Sequence, residues 1–160
     1  MSATRFSDAV TALVAAYKAA PALAQVPVYD GIQPQTASDP VSVIVGHDGT
    51  LEADGTLVPD VLAGNFAQQW IEMGTRQETG TVNCVLTCQS GDAGAIGSLR
   101  VQAAALLGAL EDAADANGGF AGGLTHMTFD GTLNGRWIYR QSLAGAAVMV
   151  AYRVAYSTEW

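Results

Sequence analysis

Residues able to do chemistry are few in this chain, and their spacing decides most cases. Ser90-Gly91-Asp92-Ala93-Gly94-Ala95-Ile96-Gly97 sits between a strand-like and a helix-like segment, where a glycine-rich turn can offer backbone N–H groups to phosphate. Its spacing is Gly-x-x-Gly-x-x-Gly rather than Gly-x-Gly-x-x-Gly, and no Lys-Ser/Thr follows. The next acids, Glu111 and Asp112, fall within the helix instead of ending a strand. This predicts a flexible helix start, not a nucleotide site. Asp48-Gly49-Thr50-Leu51-Glu52-Ala53-Asp54-Gly55 gathers carboxylates as a calcium loop does, but such a loop needs glycine at its sixth position, and here that residue is Ala53. The stretch predicts a solvated acidic loop.

Acid–base or nucleophilic catalysis would need a base beside a nucleophile. The two histidines are His47, next to a long loop, and His126, inside a predicted strand and expected to face solvent. No Gly-x-Ser-x-Gly, His-Glu-x-x-His or paired-cysteine spacing occurs. Glu111, Asp112 and Asp115 fit the wet face of a helix. Cys84 and Cys88 fall on one face of a strand, roughly 13 Å apart. A disulfide wants Cα atoms within about 7 Å, so both are expected to be small buried hydrophobes. The pattern predicts no catalytic residue, no cofactor, no metal and no enzyme. Arg136, Arg140 and Arg153 are three of only seven basic residues, all in C-terminal strands. They either pair with carboxylates on a solvated sheet face or anchor a neighbouring subunit.

Composition narrows the partners. Charged residues make up 14% of the chain, against roughly 25% in an ordinary globular domain, which suits a protein that buries part of its surface against others. The net charge is −8, with Lys18 the only lysine, and nucleic-acid affinity rests on cations that neutralise phosphates. Tight DNA or RNA binding is therefore not expected. No apolar stretch approaches 18 residues and the first residues lack a signal-peptide core, so neither a membrane span nor export is expected. At 160 residues the chain predicts one domain.

The elements that must carry these residues follow from periodicity. Phe6, Val10, Leu13, Val14 and Tyr17 mark an amphipathic helix over about 4–19, ended by Pro21. Short strands are predicted at 26–29 and 41–46, separated by a loop with Pro34, Ser38, Asp39 and Pro40. Residues 47–65 show no sustained period and predict a partner-contacting arm, mobile in a free subunit. Strands at 66–73 and 79–88 are expected to form a hairpin through Gly74–Glu78. A second helix is expected at 93–116, N-capped by Asp92 and stopped by Asn117-Gly118-Gly119. Strands at 124–129 and 136–143 flank Asp130-Gly131 and Asn134-Gly135 turns. The final run, Ala146–Trp160, alternates Val148, Val150, Tyr152, Val154 and Tyr156 against Met149, Ala151, Arg153 and Ala155. Such a strand must be paired in a sheet or clasped by another subunit. The order predicts an α+β fold, two helices on a mainly antiparallel sheet.

This layout resembles the tail terminator, or tail completion, proteins of long-tailed bacteriophages. The resemblance is carried by Val28-Tyr29-Asp30-Gly31, Val43-Ile44-Val45-Gly46 with Asp48, Gln69-Trp70 and Ser90-Gly91-Asp92 opening a helix with Arg100 and Leu110-Glu111. Tyr139-Arg140-Gln141, Ala144-Gly145-Ala146 and Val154-Ala155-Tyr156 complete it. It implies a structural virion protein, assembled in the bacterial host cytoplasm, that forms a ring, typically a hexamer, at the head-proximal end of the tail tube. There it would stop tube growth and meet the head–tail connector, with DNA passing through the ring. No single residue carries over as a site. Interface candidates come from the chain's own chemistry: Asp48, Glu52, Asp54, Asp60, Arg136, Arg140, Arg153, Tyr156 and Trp160. Another neck or tail-tube subunit shares this make-up, and a small cytosolic enzyme would need a concave site with a perturbed titratable group.

Overall fold

The computed structural model describes residues 3–32, 39–116, 124–129 and 135–160, with backbone alone for 124–129. The Pro34/Ser38 loop, the Asn117-Gly118-Gly119 stop, the Asp130-Gly131 turn, Asn134 and the His126 side chain lie outside the described residues. Two α-helices, α1 (Phe6–Ala19) and α2 (Ile96–Ala116), accompany seven strands: β1 (Val28–Asp30), β2 (Val41–Val45), β3 (Gly64–Glu72), β4 (Thr75–Ser90), β5 (Leu124–Phe129), β6 (Arg136–Ser142) and β7 (Gly145–Glu159). The fold is α+β, as the order of periodicities predicts.

Two long strands form the spine of the sheet. β4 and β7 pair antiparallel without a register break from Gln77↔Glu159 to Ser90↔Ala146. The other edge of β4 is shared end to end by β3 and β2, and the other edge of β7 by β5 and β6. β1 adds to β2 as the one parallel pair among the described strands. The closing run predicted from its alternation is thus the centre of the sheet. Even its Trp160 backbone exchanges hydrogen bonds with Arg76 (2.8 and 3.0 Å).

Both helices lie on one face of this sheet. Their buried residues, Ala9, Leu13 and Tyr17 on α1 and Leu99, Ala103 and Leu110 on α2, meet Val82, Cys84, Leu86, Cys88, Val148, Val150, Tyr152 and Val154 in one core. The deepest stripe of α1 runs through Ala9 and Ala16 rather than Phe6, Val10 and Val14, which stay half-buried. Small alanines let the helix lie closer to the strands. Both cysteines are free and buried. Burial pushes the Cys84 thiol up to about 12 and Cys88 up to about 11, which leaves neither as a reactive thiolate.

β1 runs Val28–Asp30 rather than 26–29 and β3 begins at Gly64 rather than 66, but the larger changes are two. The β3–β4 hairpin turns at Met73-Gly74, because Gly74 adopts φ +95° and the ladder resumes at Glu72↔Thr75. Arg76, Gln77 and Glu78 are therefore strand, not turn. α2 starts at Ile96 rather than 93. Asp92 Oδ1 accepts the Gly94 N–H (2.8 Å) and Asp92 O accepts the Ala95 N–H (3.1 Å), forming a capping turn ahead of the helix. This glycine-rich turn thus spends an amide on its own carboxylate.

Candidate interaction surfaces

Most of the 47–65 stretch, read from its lack of period as a partner-contacting arm, folds as a strap on the chain's own sheet, and its last two residues open β3. Asp48 Oδ1 accepts the Thr50 N–H and Asp54 Oδ1 the Thr56 N–H, each at 2.9 Å, two local turns that lone Asx-Gly pairs favour. The Glu52 N–H donates to Thr56 O (2.8 Å) and Leu51 bridges Leu57. The strap lies on the sheet face opposite the helices, where Ile44, Val85, Met149 and Ala151 are buried. Gly49 makes that approach possible. Its φ is +81°, and a Cβ there would stand 2.8 Å from the Ala151 Cβ.

The histidine beside the strap is structural. His47 is 1% exposed. Its Nδ1 accepts the Gly49 N–H (2.9 Å), so Nε2 carries the proton it donates to Val58 O (2.8 Å). Further along, Asn83 Nδ2 donates to Leu62 O (2.8 Å).

The arginines finish the fastening. Arg136 donates to Asp48 O (3.0 Å), and Arg140 donates to Asp54 O (2.9 Å) and Gly55 O (3.2 Å). Asp48, Arg136 and Arg153 line one small cleft of about 240 Å³ with Tyr152. Burial pushes the Asp48 carboxyl up, but hydrogen bonds from Thr50, with His47 and Arg136 beside it, hold it below the usual range. Hydrogen bonds from Thr56, opposed by slight desolvation and aided by Arg140, lower Asp54 likewise. Glu52 and Asp60 are exposed.

At the other end of the spine, Tyr156 is buried within the subunit, because its ring fills the space above a side-chain-free strand position. A Cβ at Gly80 would come within 2.7 Å of that ring. The Tyr156 hydroxyl donates to Glu78 Oε1 (2.7 Å), and burial and this carboxylate raise its pKa. Glu78, fully buried, also accepts the Arg5 N–H at the start of α1 (3.0 and 3.2 Å) and the Gln68 amide (2.7 Å). A buried carboxylate at a helix N-terminus is favoured by the helix dipole. The Arg5 guanidinium stands 5.5 Å from the Trp160 ring. Sequence reasoning placed Glu78 in a turn and missed this clamp. A lone acid among Thr, Gly and Val in a strand pattern was the available signal.

The interface candidates thus separate. Asp48, Arg136, Arg140 and Asp54 meet at the strap, while Tyr156 and Trp160 belong to the clamp. Large exposed hydrophobics gather elsewhere, on the β3–β4 hairpin (Phe66, Trp70, Ile71 and Met73) and on β6 and its turn (Trp137, Tyr139 and Leu143). Trp70 carries Arg76 over its ring at 4.6 Å. Beside a groove of about 440 Å³ on the hairpin, lined by Trp70 to Gly74, the described residues form two larger open grooves. One, about 590 Å³, has Arg140 as its one charged residue; the other, about 630 Å³ between α1 and α2, is lined by alanines and Asp112. Neither brings a nucleophile beside a base. Among the described residues no cluster of three His, Cys, Asp or Glu could hold a metal, and no helix is long and apolar enough to cross a membrane.

No protein-family model matches the chain, and no curated protein matches it. A solved structure does: a chain of "Virion of native gene transfer agent (GTA) particle" shares the fold at TM-score 0.56 and 15% identity, over 92% of this chain and 93% of that one. The fold is that of a virion component in that particle.

Proposed function

We propose that the protein is a structural virion protein that forms a ring on the head-proximal end of a phage-type tail tube, ends tube growth and presents the docking face for the head–tail connector. The observation that carries this reading is the shared fold along nearly the whole length of a virion chain. A surface where large apolar side chains sit on the β3–β4 hairpin and on the opposite margin of the sheet supports it, since such patches mark protein–protein contacts. All 160 residues act as one domain in this reading, located in the virion neck, and the chain is not an enzyme. Its partners are further copies of itself, typically six in all, the tail tube protein and the connector or neck protein. Six copies, each at −8, would let DNA slide through without gripping it.

Electron microscopy of the purified protein, alone and added to tails lacking it, tests the reading. Rings alone and density at the head-proximal end are expected. A stacked tube would instead favour a tail-tube subunit, the reading with the same α+β make-up. Rings elsewhere on the particle would favour another neck protein.

A further inference from the structure

We propose that the outer edge of β3 pairs, antiparallel, with the β6 margin of a second copy of this chain, so that the sheet continues from subunit to subunit. The inference rests on the ring reading only for how the series closes.

The backbone geometry sets which groups are on offer. Residues of an antiparallel ladder alternate the side to which both backbone groups point. The Asn83 N–H donates to Ala63 O (2.8 Å), which turns Asn65, Ala67 and Gln69 toward β4. Phe66, Gln68 and Trp70 therefore direct their N–H and C=O groups outward, where they meet no backbone partner among the described residues. On the far side of the spine the same alternation, fixed by the Arg76–Trp160 pair, turns Trp137 and Tyr139 of β6 outward.

Edge strands that stay single carry lysine, proline or a short length to discourage pairing. β3 has none of these: it runs nine residues, without a base or a proline, and is exposed from Asn65 to Glu72. A bulge between Trp70 and Glu72 affects only its end. Charge chooses the partner edge. β3 has Glu72 as its one charge, and β6 has Arg136 and Arg140 and no acid. In a chain of net −8, the β6 margin is where another copy can approach with attraction. Two β3 edges would bring acid to acid. β3 and β6 lie on opposite sides of the β4–β7 spine, so the contact is head-to-tail and leaves the same two edges free for the next copy.

Amide hydrogen exchange on the full chain, in the assembly and at dilution, tests this directly. Protection of the Phe66, Gln68 and Trp70 amides, and of Trp137 and Tyr139, is expected in the assembly and not in the monomer. Gln68→Pro removes an outward amide, as an edge strand tolerates, and is expected to weaken assembly roughly tenfold or more by mass photometry. Gln68→Ala keeps the amide, loses the Glu78 contact and should assemble like the parent. Equal exchange in both states, unaffected assembly of Gln68→Pro, protection of β3 without β6 in a dimer, or a chain monomeric at all concentrations would each overturn the pairing. Rings on tails with an unprotected β3 edge would remove this inference and keep the functional reading. Protected edges in an open fibre would do the reverse.

Discussion

The two ends of the β4–β7 spine treat the sheet face away from the helices in opposite ways. At the β2/β6 end the 47–63 strap covers that face, held by His47, Asn83, Arg136 and Arg140, and Val85 and Ala151 are buried beneath it. At the β3/β5 end the corresponding positions are Thr79, Thr81, Ala155 and Ser157, small and mostly polar, and the β3 strand beside them is bare. Composition follows cover. On this face apolar side chains sit where the chain itself supplies a lid, and mostly polar ones where it does not. The exposed Phe66 and Trp70 of β3 belong to the other face, where the Phe66 ring stands 6.5 Å from Phe6 of α1.

The contrast can be broken hardest at the β3/β5 end. Deleting Val154–Trp160 strips β5 and the Gln77–Val82 half of β4 of their β7 partner, and Glu78 of Tyr156. The loss should exceed the whole stability of an ordinary domain, about 5–15 kcal/mol, and leave a chain without near-ultraviolet dichroism. Cutting only the clamp is milder. Glu78→Ala orphans the Arg5 amide and the Tyr156 hydroxyl and should cost about 3 kcal/mol, lowering the melting temperature by about 6–12 °C.

Gly49→Val sharpens the comparison by lifting the strap alone. Its φ of +81° and the Ala151 contact predict a loss of about 2 kcal/mol, with faster amide exchange at Thr56 and Val58 and none at the clamp. Acid should act in the same place. Asp48 and Asp54 are lowered in the folded chain, so their contribution is complete above the ordinary carboxylate range and fades as the pH falls through the folded values. The protection factors of the strap amides should therefore fall on acidification before those of the core. The smallest effect on folding belongs to Trp70→Ser on the bare hairpin, within about 0.5 kcal/mol in denaturant melts, although the same change should impair assembly.

Local periodicity made the spine readable: the alternation of Val148 to Tyr156 and of Val82 to Cys88 needs only a two-residue repeat. The helices and the buried cysteines were readable for the same reason. The strap was not, because its order comes from non-local bonds, such as Arg140 to Asp54 O across 86 positions, that leave no period. The clamp was hidden likewise, since Glu78 looks like a turn acid until Gly74 places the bend four residues earlier. The arginines were singled out as a cluster, while their carbonyl partners lay beyond anything their spacing states.

The unbroken β4–β7 register has a kinetic corollary. It joins residues as distant as Gln77 and Glu159, 82 positions apart, and even its nearest pair, Ser90 and Ala146, is separated by α2, β5 and β6, so a long loop must close before the ladder can zip. A nascent chain on the ribosome can make α1, α2 and the β1–β2–β4–β3 side of the sheet early, yet the central ladder is missing until β7 emerges. Folding should be slow, and a copy can offer both its β3 and its β6 edge only once synthesis has passed β7, a form of quality control written into chain order.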